Sequence, residues 1–204
     1  MESSPARDGV VLAGGRATRL PDKPLLDLHG EPLVLHPVRA MRAAGLTPTA
    51  VGKLGDGRLR ATVEAAGCGW LTEPDEPVPP LFGIAFALAE LQRPAVVCAA
   101  DMPFVSAELL AALATCEEDV AVVACEVNAI LQPLLARYAP DAAGTLHEAA
   151  LVGASATGTL RALGERLRVL GEGELAAFGD LSWLVGDVDD AADLAAARAR
   201  PERG

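Results

Sequence analysis

Val10-Val-Leu-Ala-Gly-Gly-Arg-Ala-Thr-Arg-Leu-Pro-Asp-Lys23 runs an apolar, β-branched segment straight into a loop of glycines and cations. A strand that ends this way is suited to holding phosphate. Gly14 and Gly15 lack a Cβ, so the backbone turns sharply and brings its N–H groups against anionic oxygens, while Arg16, Arg19 and Lys23 add positive charge. The bland alternative is a strand-to-helix turn with solvated Arg and Lys. The pattern is neither Gly-x-x-x-x-Gly-Lys-Ser/Thr nor Gly-x-Gly-x-x-Gly, so the loops of P-loop NTPases and Rossmann dehydrogenases fit poorly.

Outward from this loop, short apolar runs alternate with longer Ala/Leu/Glu/Arg segments, the pattern of βαβ units and a mainly parallel sheet. Strands are expected at 9–12, 50–51, 69–71, 95–100, 119–125 and 168–170. The continuous apolar run 95–100 reads as a central strand buried on both faces. Helices are expected at 32–44, with Pro37 near the first turn, at 58–66, and at 81–91 opened by Pro80. Further helices are read at 106–115 with Ser106 as N-cap, at 133–138, 144–151 and 157–163, and at 190–197 as the closing element. The fold class is therefore α/β, with one domain over 1–204 and frayed ends at 1–8 and 199–204.

With 204 residues, 51% of them hydrophobic, the chain is long enough for one α/β core. Its formal net charge of −11 argues against a nucleic-acid partner, which needs a basic face. It suits a divalent cation beside a phosphate loop. Cys68, Cys98, Cys116 and Cys125 show no Cys-x-x-Cys spacing and read as buried free thiols. Residues 1–8 are polar, and no run of about 18 apolar residues follows, so a cytoplasmic protein without membrane contact is expected.

Beyond the loop, Asp101 stands at the carboxyl end of the most apolar run, where open α/β sheets place ligands. It reads as a Mg²⁺ ligand, or as a turn former before Met102-Pro103. Asp187, Asp189 and Asp190 form a second acidic group, read as a solvated turn with Asp189 or Asp190 capping the last helix. Glu73, Asp75 and Glu76 lie in a proline-rich loop before Gly83 that is either a wall of the substrate site or a rigid surface connection. His29, His36 and His147 are scattered and read as structural or exposed, and no Gly-x-Ser-x-Gly supports acyl chemistry. Tyr138, Trp70 and Trp183 read as packing residues, each isolated from the others and from basic clusters.

Taken together, Leu12-Ala-Gly-Gly-x-x-x-Arg19-Leu-x-x-Lys23 and His29-Gly-Glu-Pro-Leu33 resemble the nucleotidyltransferases that make nucleotide-linked sugars and cofactors. Within that superfamily the chain is most similar to the molybdenum cofactor guanylyltransferases of the MobA type. Pro80-Leu-Phe-Gly-Ile84 resembles that family's Gly-Pro-Leu-Ala-Gly-Ile, Asp101-Met-Pro-Phe104 its Asp-x-Pro-Phe, and Gln132-Pro-Leu134 with Tyr138 its Pro-Leu-x-x-x-Tyr. Asp187-Val-Asp-Asp-Ala-Ala-Asp-Leu194 stands in the place of Asn-x-Asn-Thr-Pro-Glu-Asp-Leu, so the motifs run in order along nearly the whole chain.

The resemblance implies a three-layer α/β/α Rossmann-like nucleotidyltransferase fold that transfers GMP from GTP to the phosphate of molybdopterin, giving molybdopterin guanine dinucleotide and pyrophosphate. It implies GTP and molybdopterin as substrates, Mg²⁺ as cofactor, and partners that deliver molybdopterin or mature molybdoenzymes. Carried over by position, Leu12, Ala13, Gly14, Gly15 and Glu73 line the nucleotide site. Arg19 and Lys23 contact the triphosphate, and Asp101, with Asp187 as a second candidate, holds the metal. Cytidylyl or sugar-phosphate transfer on the same fold, or a weakened GTP/molybdopterin-binding adaptor, are the alternatives. Two departures stand out. Pro21 removes a backbone N–H that the family's glycine offers, and carboxylates replace the closing amides.

Overall fold

The computed structural model describes residues 6–14, 20–76, 79–116 and 119–200. In chain order the strands and helices are β1 (Asp8–Leu12), β2 (Asp27–Leu28), β3 (Glu31–Pro32), α1 (Leu35–Ala43), β4 (Thr47–Gly52), α2 (Gly57–Ala65), β5 (Gly69–Thr72), α3 (Pro80–Leu91), β6 (Ala95–Ala99) and α4 (Ala107–Thr115). They continue with β7 (Val122–Val127), β8 (Ile130–Tyr138), α5 (Ala143–Leu151), α6 (Ala156–Ala162), β9 (Leu167–Leu170), α7 (Glu172–Leu175), α8 (Leu181–Leu184) and α9 (Ala191–Ala199).

Seven strands form one sheet in the order β5-β4-β1-β6-β8-β7-β9. Every neighbouring pair is parallel except the two that involve β8. The expected mainly parallel sheet is therefore present, and β6 is central with all five of its residues buried. Side-chain alternation assigns the faces. Val11, Ala50, Val96 and Cys98 meet α1, α2 and α4 on one side, while Val10, Val51, Ala95 and Val97 meet α3, α5 and α6 on the other. This is the expected three-layer α/β/α arrangement.

Helix α4 starts as its sequence dictates, with the Ser106 hydroxyl accepting from Leu109 N at 3.2 Å. Helix α1 begins later than expected because Asp27–Leu28 and Glu31–Pro32 pair as a hairpin. Its turn puts His29 at φ 55° and Gly30 at φ 83°, the conformation that tight hairpins need. The segment 133–138 is strand, not helix. Pairing slips there, from Ala124 opposite Ala136 to Cys125 opposite Gln132, so Pro133 and Leu134 lie in a bulge where a missing N–H costs no ladder bond.

Among the cysteines, Cys68, Cys98 and Cys125 are buried free thiols and Cys116 is half-buried. His36 is structural, its ring N2 atom (Nε2) 3.1 Å from the Leu28 carbonyl. Among the described residues no helix is long and apolar enough to cross a membrane.

Candidate active site

Three backbone hydrogen bonds carry the sheet one residue past its strands. Ala13 N donates to Val51 O at 2.9 Å, Glu73 N to Gly52 O at 2.9 Å and Ala100 N to Leu12 O at 3.0 Å. The loops after β1, β5 and β6 therefore fan from one edge, the carboxyl edge, where such sheets bind ligands. They enclose a cavity of about 170 Å³ bounded by Leu12, Gly14, Lys23, Glu73, Gly83 and Asp101.

Lys23 reaches this cavity through the departure at Pro21. Lys23 N donates to Leu20 O at 3.2 Å, and Asp22 has φ 54° and ψ 27°, so residues 20–23 make a turn with proline second and a left-handed residue third. Pro21 thus fixes the turn that presents the lysine. Its Nζ lies 2.5 Å from Asp101 Oδ2 and 3.0 Å from Asp189 Oδ1. Burial alone lowers the lysine pKa, but the hydrogen bonds and charges of Asp101 and Asp189 outweigh it and leave the pKa raised. Lys23 is a fixed cation.

Asp189 arrives from the other end of the chain. Val188 N donates to Asp101 O at 3.0 Å, and Val188 packs with Leu28, Leu33, Leu194 and Ala197 in a small apolar cluster apart from the two main cores. Asp190 caps α9, accepting from Ala192 N at 2.8 Å and Asp193 N at 3.0 Å, as one sequence reading has it. Asp189 and Asp187 are not spent on capping. The Asp187 carboxyl is pushed above its ordinary range, first by partial burial and then by Asp189 and Asp101. Crowded carboxylate oxygens of this kind are a hard donor set that fits Mg²⁺, which binds through one or two carboxylates and completes its shell with water and substrate phosphates. Among the described residues no three His, Cys, Asp or Glu side chains converge enough to hold an ion without such help.

Glu73 forms the opposite wall. It is 8% exposed, and Lys53 Nζ lies 3.2 Å from its Oε1. Burial raises the Glu73 pKa, Lys53 partly offsets that, and Asp56 adds to it. Two neighbouring glycines leave the carboxylate its room. A Cβ on Gly14 would stand 2.5 Å from Oε1, and one on Gly83 would stand 3.1 Å from Oε2. Asp75 and Glu76 of the same loop are exposed.

The structure thus brings Leu12, Ala13, Gly14, Lys23, Glu73 and Asp101 to one cavity, with Asp187 beside it. Gly15, Arg16 and Arg19 lie outside the described residues. Lys53, Leu134 and Asp189 are among the contributors that sequence position did not assign to the site. Lys53 follows β4 at the same carboxyl edge, the positional signal that marked Asp101. Leu134 also lines the cavity. Buried Tyr138 donates to Pro133 O at 2.7 Å and so staples the bulge that turns Leu134 inward.

Comparison with known proteins places the chain in a family. The family model for the MobA-like NTP transferase domain matches residues 9–169. A molybdenum cofactor guanylyltransferase of Burkholderia vietnamiensis is 37% identical over 116 residues, covering 54% of this chain and 56% of that protein. A 3-deoxy-manno-octulosonate cytidylyltransferase of Methylobacterium nodulans is 43% identical over 72 residues, covering 34% of this chain and 29% of that protein. The chain thus spans under a third of the cytidylyltransferase and little more than half of the guanylyltransferase. Molybdopterin-guanine dinucleotide biosynthesis protein A of Archaeoglobus fulgidus shares the fold, with TM-score 0.78 and 23% identity over 94% of this chain and 97% of that one. With the family model matched across most of its length, the chain belongs to the MobA-like NTP transferase family.

Proposed function

We propose that the protein transfers GMP from GTP to the phosphate of molybdopterin, releasing pyrophosphate. The observation that carries this reading is Lys23 held between Asp101 and Asp189 at the mouth of a cavity whose other wall is Glu73. One end offers cation and carboxylates for phosphates; the other offers an acceptor for the N–H groups on a purine edge. The guanylyltransferase of Burkholderia vietnamiensis supports the same reading.

In this reading Leu12, Ala13 and Gly14, with Gly15, line the base and sugar, and Glu73 accepts from guanine N–H groups. Lys23, with Arg19, neutralises the triphosphate. Asp101, aided by Asp187, would hold Mg²⁺, which when bound draws negative charge from the phosphate oxygens. Entry of the triphosphate offers the Lys23 ammonium phosphate oxygens in place of Asp189. An oxygen of the acceptor phosphate forms the new bond to the α-phosphorus, and the bond to the β-phosphate oxygen breaks with its electron pair leaving on pyrophosphate. Alignment and charge stabilisation supply the catalysis, without a covalent enzyme intermediate.

The 43% identity to a cytidylyltransferase favours a second reading, cytidylyl transfer to a sugar acid. A panel of thermal shifts with GTP, CTP and ATP, with and without Mg²⁺, separates them. A shift with GTP alone, followed by pyrophosphate release on adding molybdopterin, is expected. A shift with CTP alone would sink the guanylyl reading.

A further inference from the structure

Arg200 follows α9 directly, its N donating to Ala197 O at 3.2 Å. Its guanidinium carbon lies 4.4 Å from the Trp183 ring centre and 4.8 Å from that of Phe104, and the two rings meet edge to face, 5.0 Å apart at 82°. The sequence suggested that Trp183 stands apart from basic groups; the fold brings this one onto it. All three side chains are half-buried. A planar cation over two rings, partly shielded from water, attracts both and holds the three in one arrangement.

What the rings are attached to gives this contact its meaning. Phe104 lies in the turn after Asp101, where Val105 N donates to Met102 O at 3.5 Å, and Trp183 lies on α8, just before the loop that bears Asp187 and Asp189. Across the junction Val188 N donates to Asp101 O at 3.0 Å. Helix α8 spans four residues, too few to hold a shape unaided. Leu184 anchors its end in one of the main cores, and Arg200 ties it to the Asp101 turn. The same charge reaches Asp180, the cap of α8, whose pKa is lowered first by the Ser182 hydrogen bonds and also by Arg200. Elsewhere on a surface such a staple adds a little stability and nothing more. Here the two tied segments carry the carboxylates that meet at Lys23.

We propose that Arg200 is a positioning residue: by clasping Phe104 and Trp183 it holds the 185–190 loop against the Asp101 turn, so that Asp187 and Asp189 face Asp101 and Lys23 when nucleotide and metal enter. The assignment rests on the metal-dependent transfer reading above and adds the element that keeps its carboxylates together.

The test follows single amides of the full chain by hydrogen exchange. Val188 N–H is protected while the loop lies on the Asp101 turn, whereas Ala13 N–H and Ala100 N–H report the sheet. In Arg200→Ala, exchange at Val188 is expected to quicken about fivefold, the worth of one half-buried cation–π contact, with Ala13 and Ala100 unchanged. The Mg²⁺ concentration that gives half of the thermal shift with GTP rises by a similar factor. Arg200→Lys keeps the charge without the flat face and recovers part of both losses. Phe104→Leu, which removes one ring, loses both in the same direction. Unchanged Val188 exchange in Arg200→Ala, an equal rise at all three amides, or faster Val188 exchange with the Mg²⁺ midpoint unmoved overturns the assignment. A preference for CTP in the nucleotide panel, with the Val188 response and a shifted Mg²⁺ midpoint both present on CTP, would instead count against the guanylyl reading alone.

Discussion

Replacing Lys53 with Met removes the cation that faces a buried carboxylate. Across the 3.2 Å separation from Glu73, the pair's attraction is about 5 kcal/mol at an effective dielectric of about 20. Desolvation of both groups offsets part of that, and leaving one buried charge alone costs about 3 kcal/mol net. For a chain of this length the loss corresponds to a melting temperature lower by about 6–12 °C. The pH dependence identifies the cause. Glu73 already has a pKa above its ordinary value, and without Lys53 it climbs further. A carboxyl with a raised folded pKa contributes stability fully below its unfolded pKa and loses it as pH rises through the folded one. The deficit of Lys53→Met is thus full at pH 8 and shrinks toward pH 5 as Glu73 protonates. Urea unfolding at the two pH values, with Lys53→Met/Glu73→Gln alongside, measures this. The double variant recovers about 2 kcal/mol at pH 8, since the unpaired charge is gone. An equal deficit at both pH values, or a double variant no better than the single, would refute the argument.

Three more outcomes follow from the same cavity. Asp101→Ala abolishes turnover while the far-ultraviolet circular dichroism is retained; full pyrophosphate release would remove Asp101 from the metal role. Lys23→Ala raises the KM for GTP about tenfold or more, the worth of one charge-assisted contact, with a smaller effect on melting; an unchanged KM would show that the lysine points elsewhere during turnover. Gly14→Ala places a methyl 2.5 Å from Glu73 Oε1 and should weaken nucleotide binding in titration calorimetry, while Gly14→Ala/Glu73→Ala regains room but not affinity.

How much of this was legible depended on whether the signal was local. The alternation of apolar runs and amphipathic segments placed the sheet, and the strand-end position of Asp101 marked the edge where the cavity lies. Pro133 misled because proline disfavours strands unless a bulge accommodates it, and the bulge depends on pairing with β7, 6–11 residues earlier in the chain. The hairpin at 27–32 was hidden because two-residue strands carry too little periodicity to read. The Lys53–Glu73 pair was illegible for another reason. Nothing in either segment names the other until β4 and β5 lie side by side. Lys23 and Asp189, 166 residues apart, were likewise visible singly but not as partners.

The small cluster of Leu28, Leu33, Val188, Leu194 and Ala197 has a consequence for how the site operates in time. It joins the hairpin to α9, and Arg198 adds a hydrogen bond to Asp27 O at 2.7 Å. Few apolar contacts guard Asp187 and Asp189, whereas Asp101 and Glu73 hang from the sheet. The two halves therefore open with different free energies, the α9 side first, because local opening follows the apolar contacts that resist it. A bulky ligand held between the two halves can leave through the α9 side while the strands of the sheet stay folded.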